Sequence, residues 1–341
     1  MVELTPRREI PTPQLQFLSD LPEERSKQAA EPVEIRSLPV EIRSLRIEEF
    51  LQARSLSPNS KKAYLQDLQR FLNWSDKSWG TVTRRDVALF KTHLINQNLA
   101  PATVNRSLTT LGNFFGWMLE SDHVTKDPTT AIDLLPLPEP EAKDLSYEEV
   151  CRIYAIAQSR SHPERDIALI SVLLHGLRAG EVSALDVGDF DKTRLHIRKG
   201  KSDSKGRVPL KAQAVNDLNR YITWRKERGE VIEASSPLFL SCSRRSRGSR
   251  LTYWGIRDVM DAIREATQID LNAHRFRHTF ATDLALRGID SQHGMTLTRH
   301  KSPQSYKIYT KRAQQLAAER AFYEVVGEAN PQDEASEPLT E

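Results

Sequence analysis

The second half of the chain combines cationic side chains with a hydroxyl nucleophile, and these residue types suit the breaking of a phosphodiester without a metal ion. Negative charge spreads over the non-bridging oxygens during displacement, and the planar fork of arginine matches two such oxygens at once. Arg178 and Arg277 are therefore predicted to clamp the phosphate. Tyr309 is the predicted nucleophile, because a phenolate is both a fair nucleophile and a fair leaving group. The departing sugar oxygen needs a proton, and Lys199 is the predicted general acid.

These side chains need a scaffold, and the hydrophobic pattern predicts a mainly α-helical one with a small β-hairpin. Period-two alternation in residues 194–198 and 206–210 flanks a polar turn, which predicts a hairpin that carries Lys199. Ser146 with Glu149 forms a capping-box pattern that starts this part of the chain. Helical periodicity predicts further helices at residues 167–177, 218–227, 253–267, 277–287 and 304–326.

The chain is long enough for two domains, and its composition changes where a boundary is expected. Ser57-Pro58 is typical of a helix N-cap followed by proline at the first helical position, within a helical first domain. Three prolines further on favour an extended linker. The predicted organisation is a flexible arm (1–44), a helical domain (45–132), a linker (133–144), a second domain (145–327) and an acidic tail (328–341).

Charge, cysteine content and hydropathy restrict the class of protein. The formal net charge is +3, but all charged residues of the tail are acidic. The rest of the chain therefore has a mild basic excess, which fits a nucleic-acid partner. Cys151 and Cys242 lie far apart without a CxxC spacing, which predicts neither a disulfide framework nor a metal site. No apolar run approaches the ~20 residues that span a bilayer, and the start lacks a signal-peptide core. We therefore expect a soluble cytoplasmic protein with no membrane segment.

Several motifs occur in a fixed order along the chain. They are Gly176-Leu177-Arg178-Ala179-Gly180-Glu181, Lys199-Gly200 ahead of Val208-Pro209-Leu210, His274 with Arg277, and His300 followed by Tyr309. With this order and spacing the chain resembles the tyrosine recombinase or phage integrase family, especially its Xer-like bacterial members, over roughly residues 45–325. Each motif alone is weak, and their combination is specific.

The resemblance implies a two-domain clamp on duplex DNA, with a helical core-binding (SAM-like) domain and an α+β catalytic domain. The implied activity is site-specific recombination through a 3′-phosphotyrosyl intermediate, for DNA integration, excision or replicon dimer resolution. His274 and His300 would join the two arginines in holding the developing charge. The resemblance also implies a homo-tetramer on double-stranded DNA and no cofactor, and counterion release on clamping would supply much of the affinity.

Further basic residues are predicted DNA contacts. Residues 234–256 contain no acid but include a cluster of arginines, which predicts a loop that lies on phosphates. The arginines of this loop are Arg244, Arg245, Arg247 and Arg250. Lys201 in the hairpin is another candidate contact, and it is also an alternative to Lys199 as the general acid.

Two local assignments stay open at this point. Tyr306 lies one helical turn before Tyr309, and only the spacing from His300 favours the later tyrosine as nucleophile. The family usually has Leu-Gly before its last histidine, whereas this chain has Thr298-Arg299, and Arg299 would be able to add a phosphate contact.

Two other functions fit the same residues. A type IB topoisomerase relaxes supercoils with similar chemistry but without partner sites. A non-catalytic DNA-binding protein descended from a recombinase is the other, and it is disfavoured because all six candidate catalytic positions hold chemically capable residues.

Overall fold

The computed structural model describes residues 38–139, 142–198 and 205–328. The chain divides into two compact units, residues 1–138 and 139–341, and the division falls within the predicted linker. None of the described helices combines the length and apolar character needed to cross a membrane.

The described part of the first unit is helical, and local capping signals fix where most of its helices begin. The side chain of Ser57 accepts a hydrogen bond from the Ser60 amide, and Pro58 follows at the first helical position. Thr83 and Asp86 form a reciprocal capping box at the next helix. The helices are α1 (Leu38–Ala53), α2 (Pro58–Trp74), α3 (Arg84–Asn96) and α4 (Pro101–Glu120), with a 3₁₀ turn at Trp79–Thr81. Helix α1 begins at Leu38, within the segment predicted to be a flexible arm.

Aromatic side chains form the core of the first unit. Phe71 stacks on Trp79 and meets Phe90 edge-on, and Phe50 meets Phe114 edge-on, so each helix contributes rings to one cluster. A buried carboxylate, Asp67, lies beside this core.

The second unit is also mainly helical. Its described helices are α5 (Tyr147–Ser159), α6 (Pro163–Leu173), α7 (Ala179–Ser183), α8 (Ala212–Glu227), α9 (Tyr253–Thr267), α10 (Ala273–Leu286), α11 (Ser291–Thr298) and α12 (Pro303–Val326). The predicted capping box is present, since Ser146 accepts from the Glu149 amide and the Glu149 carboxylate accepts from the Ser146 amide. Helix α10 begins four residues before the predicted start because Asn272 caps it, accepting from the amides of His274 and Arg275.

The predicted β-hairpin is confirmed as a two-stranded antiparallel sheet. Strand β1 (Arg194–Ile197) pairs with β2 (Gly206–Pro209), with Leu195 opposite Val208 and Ile197 opposite Gly206. Leu195, Ile197 and Val208 point into the main core, which explains the alternation seen in the sequence.

Helix α6 ends before the predicted limit of residue 177, and this early end shapes the site. Gly176 follows with a φ of +75°, a left-handed conformation that glycine adopts without a Cβ penalty. A Cβ there would also lie 2.5 Å from a ring carbon of Phe280. The carbonyl of Gly176 accepts side-chain hydrogen bonds from two arginines described below.

Candidate active site

Arg178 occupies the N-cap position immediately before helix α7, and Glu181 in the first turn of that helix holds the Arg178 side chain in place. The Glu181 carboxylate accepts from the Arg178 amide at 2.9 Å and from Nη1 of its guanidinium at 2.8 Å. Burial alone would raise the pKa of Glu181, but the guanidinium groups of Arg299 and Arg178 hold the pKa below its ordinary value. The carboxylate therefore stays ionised, and its hydrogen bond with Nη1 fixes the orientation of the Arg178 guanidinium.

Arg277 on α10 is buried, with 1% of its surface exposed. Its Nη1 donates to the Gly176 carbonyl at 2.6 Å, and its Nη2 donates to the Thr298 carbonyl. Burial, together with the neighbouring guanidinium groups of Arg178 and Arg299, lowers the pKa of Arg277 to about 9. Arg277 remains a cation at neutral pH, although among the described residues it forms no ion pair with a carboxylate.

His300 is joined to Arg277 and to Thr298. The hydroxyl of Thr298 donates to the Gly294 carbonyl at 2.6 Å, so its oxygen accepts from Nδ1 of His300 at 2.6 Å. Nε2 of the ring is then unprotonated and faces Nη2 of Arg277 at 3.5 Å. Burial, followed by the charges of Arg277 and Arg178, lowers the pKa of His300 to about 3, so the imidazole is neutral at physiological pH.

His274 and Tyr309 complete the cluster. Partial removal of water, together with the charges of Arg277 and Arg178, lowers the pKa of His274. The ring of Tyr309 lies 5.5 Å from that of His300 and is 2% exposed. Burial raises the pKa of Tyr309 above its ordinary value, whereas Arg277 and Arg178 oppose that rise. The phenol is thus protonated in the free protein and lies near both predicted clamp arginines.

Tyr306 lies in the same helix α12, and its surroundings differ from those of Tyr309. A Cβ on Gly294 would lie 2.0 Å from the Tyr306 hydroxyl, so this phenol packs directly on the backbone of α11. Burial raises the pKa of Tyr306, and the further causes are Tyr309 and Asp290 rather than the clamp arginines. These contacts favour Tyr309 over Tyr306 as the nucleophile.

The structure therefore brings five predicted site residues into one cluster: Arg178, Arg277, His274, His300 and Tyr309. The sixth, Lys199, lies outside the described residues, as does Lys201. The strand that follows them begins at Gly206, which packs against the stem of Arg299 beside the cluster.

The arginine-rich loop divides into two classes. Arg244, Arg245 and Arg247 are exposed, and within the described parts of the chain none of the three forms an ion pair. Arg250 has partners within the protein, since its Nη1 donates to the carbonyls of Ser183 and Leu185 and its Nη2 pairs with Asp186. Arg250 thus stabilises the end of α7, and its contact with DNA stays a prediction.

Two residues of the site, Glu181 and Thr298, were not assigned a role from the sequence, and Arg299 was given a different one. Glu181 occupies the third helical position after Arg178, which is the capping-box spacing and could have identified it. Arg299 was expected to be able to contact phosphate, but its side chain is 3% exposed and pairs with Glu181. The replacement of Leu-Gly by Thr298-Arg299 was the available signal, because it puts a bulky residue where a left-handed backbone is expected.

Comparison with known proteins gives matches over most of the chain. A profile described as "Phage integrase family" matches residues 143–315, and one described as "Phage integrase, N-terminal SAM-like domain" matches residues 45–124. The tyrosine recombinase XerC of Herpetosiphon aurantiacus is 30% identical over 280 residues, which cover 78% of this chain and 90% of that protein.

Solved structures share the fold. The Tn1549 transposon integrase in complex with a circular intermediate DNA matches with a TM-score of 0.66 at 17% identity, covering 82% of this chain and 99% of that one. A lambda integrase tetramer bound to a Holliday junction matches with a TM-score of 0.63 at 18% identity, covering 82% of this chain and 83% of that one.

Proposed function

Because the chain belongs to the phage integrase family and is a site-specific tyrosine recombinase, we propose that it cuts and rejoins duplex DNA through Tyr309. One observation carries this assignment: the phenol of Tyr309 lies in the cluster that holds Arg178, Arg277 and His300. These residues supply the nucleophile and the fixed cations that displacement at a phosphodiester requires.

In the proposed step, the phenolic oxygen of Tyr309 bonds to the scissile phosphorus while the bond from phosphorus to the 5′ oxygen breaks. The product is a 3′-phosphotyrosine and a 5′ hydroxyl. Lys199, or Lys201 as its alternative, gives the leaving oxygen its proton. The neutral imidazole of His274 is the proposed acceptor of the phenolic proton, because the lone pair on Nε2 of His300 faces Arg277 and the low pKa of His300 makes it a weak base. A partner strand's 5′ hydroxyl reverses the step, so the energy of the broken bond is kept in the enzyme linkage.

The phosphate itself is proposed to lie against Arg178 and Arg277. The guanidinium of Arg178 keeps partial solvent access, with 29% of its side chain exposed, and Glu181 holds its orientation. Arg277 contributes a buried cation, and the groups that accept its hydrogen bonds are neutral carbonyls. Among the described residues no carboxylate pairs with it, so a phosphate oxygen would supply the missing negative charge.

Binding to the DNA backbone is proposed to involve the exposed arginines Arg244, Arg245 and Arg247. Each would displace a condensed counterion, which makes affinity dependent on salt. Tyr253 and Trp254 are exposed just after this loop, and they are available for contact with the same DNA.

The assembly is proposed to be a homo-tetramer that acts in the cytoplasm and joins two sites on double-stranded DNA. The tetrameric lambda integrase on a Holliday junction supports this arrangement. Support also comes from the distal end of α12, where Phe322, Val325 and Val326 are exposed and would be buried by a neighbouring protomer.

A covalent trap tests the proposal. The cleavage site is first mapped as the position at which the purified protein becomes linked to genomic fragments. A duplex of that site with a nick beside the cleavage point then loses the short strand after attack and cannot be rejoined. We expect the native protein to accumulate a covalent complex.

Tyr309→Phe should abolish the covalent complex while DNA binding persists, and Tyr306→Phe is the matched control that should still form it. If Tyr306→Phe lost the covalent complex and Tyr309→Phe still formed it, the nucleophile would be Tyr306. Absence of any complex with the native protein would favour a non-catalytic DNA-binding protein. Relaxation of supercoiled DNA without recombination between two sites would favour a topoisomerase.

A further inference from the structure

Arg299 has an unusual backbone conformation for an arginine. It ends helix α11 with φ of 56° and ψ of 44°, in the left-handed region where glycine is the common residue. A side chain with a Cβ is disfavoured there, so its retention calls for compensating contacts.

The side chain of Arg299 provides such contacts inside the protein. Nη2 donates to Oε2 of Glu181 at 2.7 Å and to the Gly176 carbonyl at 3.1 Å, and Nη1 donates to the Leu297 carbonyl at 2.8 Å. Nε faces Oε1 of Glu181 at 3.5 Å. Every guanidinium nitrogen of Arg299 thus faces an acceptor of the protein, whereas Nε of Arg277 is buried without one, so Arg299 is the one that holds its neighbours in place.

The acceptors of Arg299 are the same groups that hold the two clamp arginines. The Gly176 carbonyl also accepts from Arg277 at 2.6 Å, and the Glu181 carboxylate also accepts from Arg178 at 2.8 Å. The backbone carbonyl of Arg299 faces Nη2 of Arg178 at 3.4 Å. One side chain thus connects the supports of both guanidinium groups.

Arg299 also contacts the hairpin. A Cβ on Gly206 would lie 3.1 Å from Cδ and 3.3 Å from Cγ of Arg299, so strand β2 begins directly against the arginine stem. Glycine allows this close approach, because a Cβ would be in tight contact with the arginine stem. The strand that leads out of residues 199–204 is therefore seated on the same residue.

We propose that Arg299 is a positioning residue, which sets the spacing and orientation of Arg178 and Arg277 through Glu181 and Gly176 and holds the start of strand β2 beside them. The inference rests on the proposed function, since it concerns the clamp that grips the scissile phosphate. It departs from the sequence pattern of the family, in which glycine usually holds this place.

The test uses two substitutions in the full-length protein. Arg299→Gly suits the left-handed backbone but removes the guanidinium, and Arg299→Lys keeps a charge but loses the fork. The rate of covalent complex formation on the nicked duplex is measured in a single turnover, beside DNA affinity and thermal unfolding. We expect cleavage to slow by about 100-fold in Arg299→Gly and at least about tenfold in Arg299→Lys, with DNA affinity changed by less than about threefold.

A pH profile separates positioning from mere stabilisation. Without Arg299 the pKa of Glu181 rises, and protonation of Glu181 releases Arg178. As the pH is lowered, cleavage by Arg299→Gly should therefore begin to slow at a higher pH than cleavage by the native protein. The double variant with Glu181→Gln should lose this dependence on pH. A purely structural role would lower the rate by the same factor at every pH.

Arg225→Lys is the matched control, because Arg225 is also buried and also donates to two carbonyls and a glutamate, away from the site. It should reduce stability without slowing cleavage by folded protein. A native-like rate in Arg299→Lys, or an unshifted pH profile in folded Arg299→Gly, overturns the inference; if Arg299→Gly does not fold, the rate of Arg299→Lys decides. Failure of the native protein to form the covalent complex would instead overturn the proposed function.

Discussion

Each unit contains a buried carboxylate that gathers arginines, and the two networks differ in how completely they are satisfied. In the first unit, Asp67 accepts from both Nε and Nη2 of Arg106, from Arg70, and from the hydroxyls of Ser107 and Thr110. Five hydrogen bonds converge on this one buried acid, and the network is closed in the sense that its carboxylate is fully satisfied within the protein. A closed network of this kind needs no ligand.

In the second unit, one carboxylate serves a larger set of cations. Glu181 accepts from Arg178 and Arg299, whereas Arg277 contacts carbonyls and a neutral imidazole. The local charge is therefore positive, and an anion would complete the network.

The pKa shifts of the arginines follow the same division. Hydrogen bonding to Asp67 raises the pKa of Arg106 above its ordinary value. Burial and two neighbouring guanidinium groups lower that of Arg277 to about 9. Arg106 thus has its negative partner within the protein, whereas Arg277 lacks one among the described residues and suits a charged ligand.

The largest effect is expected for Arg277→Lys. A lysine is a point charge that cannot contact two carbonyls and a phosphate oxygen at once, so transition-state stabilisation is lost. We expect covalent complex formation in a single turnover to slow by about 10³-fold, equivalent to about 4 kcal/mol. Arg106→Lys makes the same change in the closed network and should leave the rate within about threefold. Equal losses in both variants would end the distinction between the two networks.

Asp67→Asn should have the next largest effect, and on stability rather than on chemistry. The amide keeps the shape of the carboxylate but cannot accept from all of its present donors, and water screens the charges left on the partly exposed Arg70 and Arg106, so we expect a cost of about 2 kcal/mol of unfolding free energy. Urea unfolding followed by tryptophan fluorescence reports on it, because Trp74, Trp79 and Trp117 lie in the first unit.

For comparison, Asp86→Asn weakens a helix cap and should cost about 1 kcal/mol in the same measurement. Folded Asp67→Asn should cleave DNA at the native rate. Unfolding of Asp67→Asn at the native urea midpoint would contradict the role given to this network.

The smallest effect concerns arginines that are satisfied by neither network. Replacing Arg244, Arg245 and Arg247 with glutamine one at a time should reduce the slope of log affinity against log salt by about 0.9 for each lost phosphate contact. Arg250→Gln is the internal control, because its guanidinium is bound to Asp186 and to two carbonyls. An unchanged slope in the three exposed variants would remove this loop from the DNA interface.

Local signals in the sequence predicted much of the scaffold. The Ser57 cap, the Ser146 capping box and the limits of α9 at Tyr253–Thr267 all depend on residues within a few positions of one another. The order of the motifs likewise identified the residues that converge in the cluster. Such features are local or patterned, and one sequence is enough to recognise them.

Long-range pairings were not predictable from the sequence. Arg106 finds Asp67 across 39 positions, and Arg299 finds Glu181 across 118. The short helix α11 was also missed, since its sequence has weak periodicity and it is held by packing of Gly294 against Tyr306. Which arginine meets an acid and which is left for a ligand depends on tertiary packing, so residue type alone could not separate Arg250 from Arg247.

Helix α12 runs without a break from Pro303 to Val326, with Tyr309 in its second turn. At 1.5 Å per residue, its far end lies roughly 25 Å from the phenol. The near end is wedged among buried side chains, whereas Phe322 and Val325 at the far end are exposed. Because the helix is continuous, a force applied to its exposed end would be transmitted along its axis to Tyr309. Contact with a neighbouring molecule at that end would then shift the attacking oxygen and control when a strand is cut.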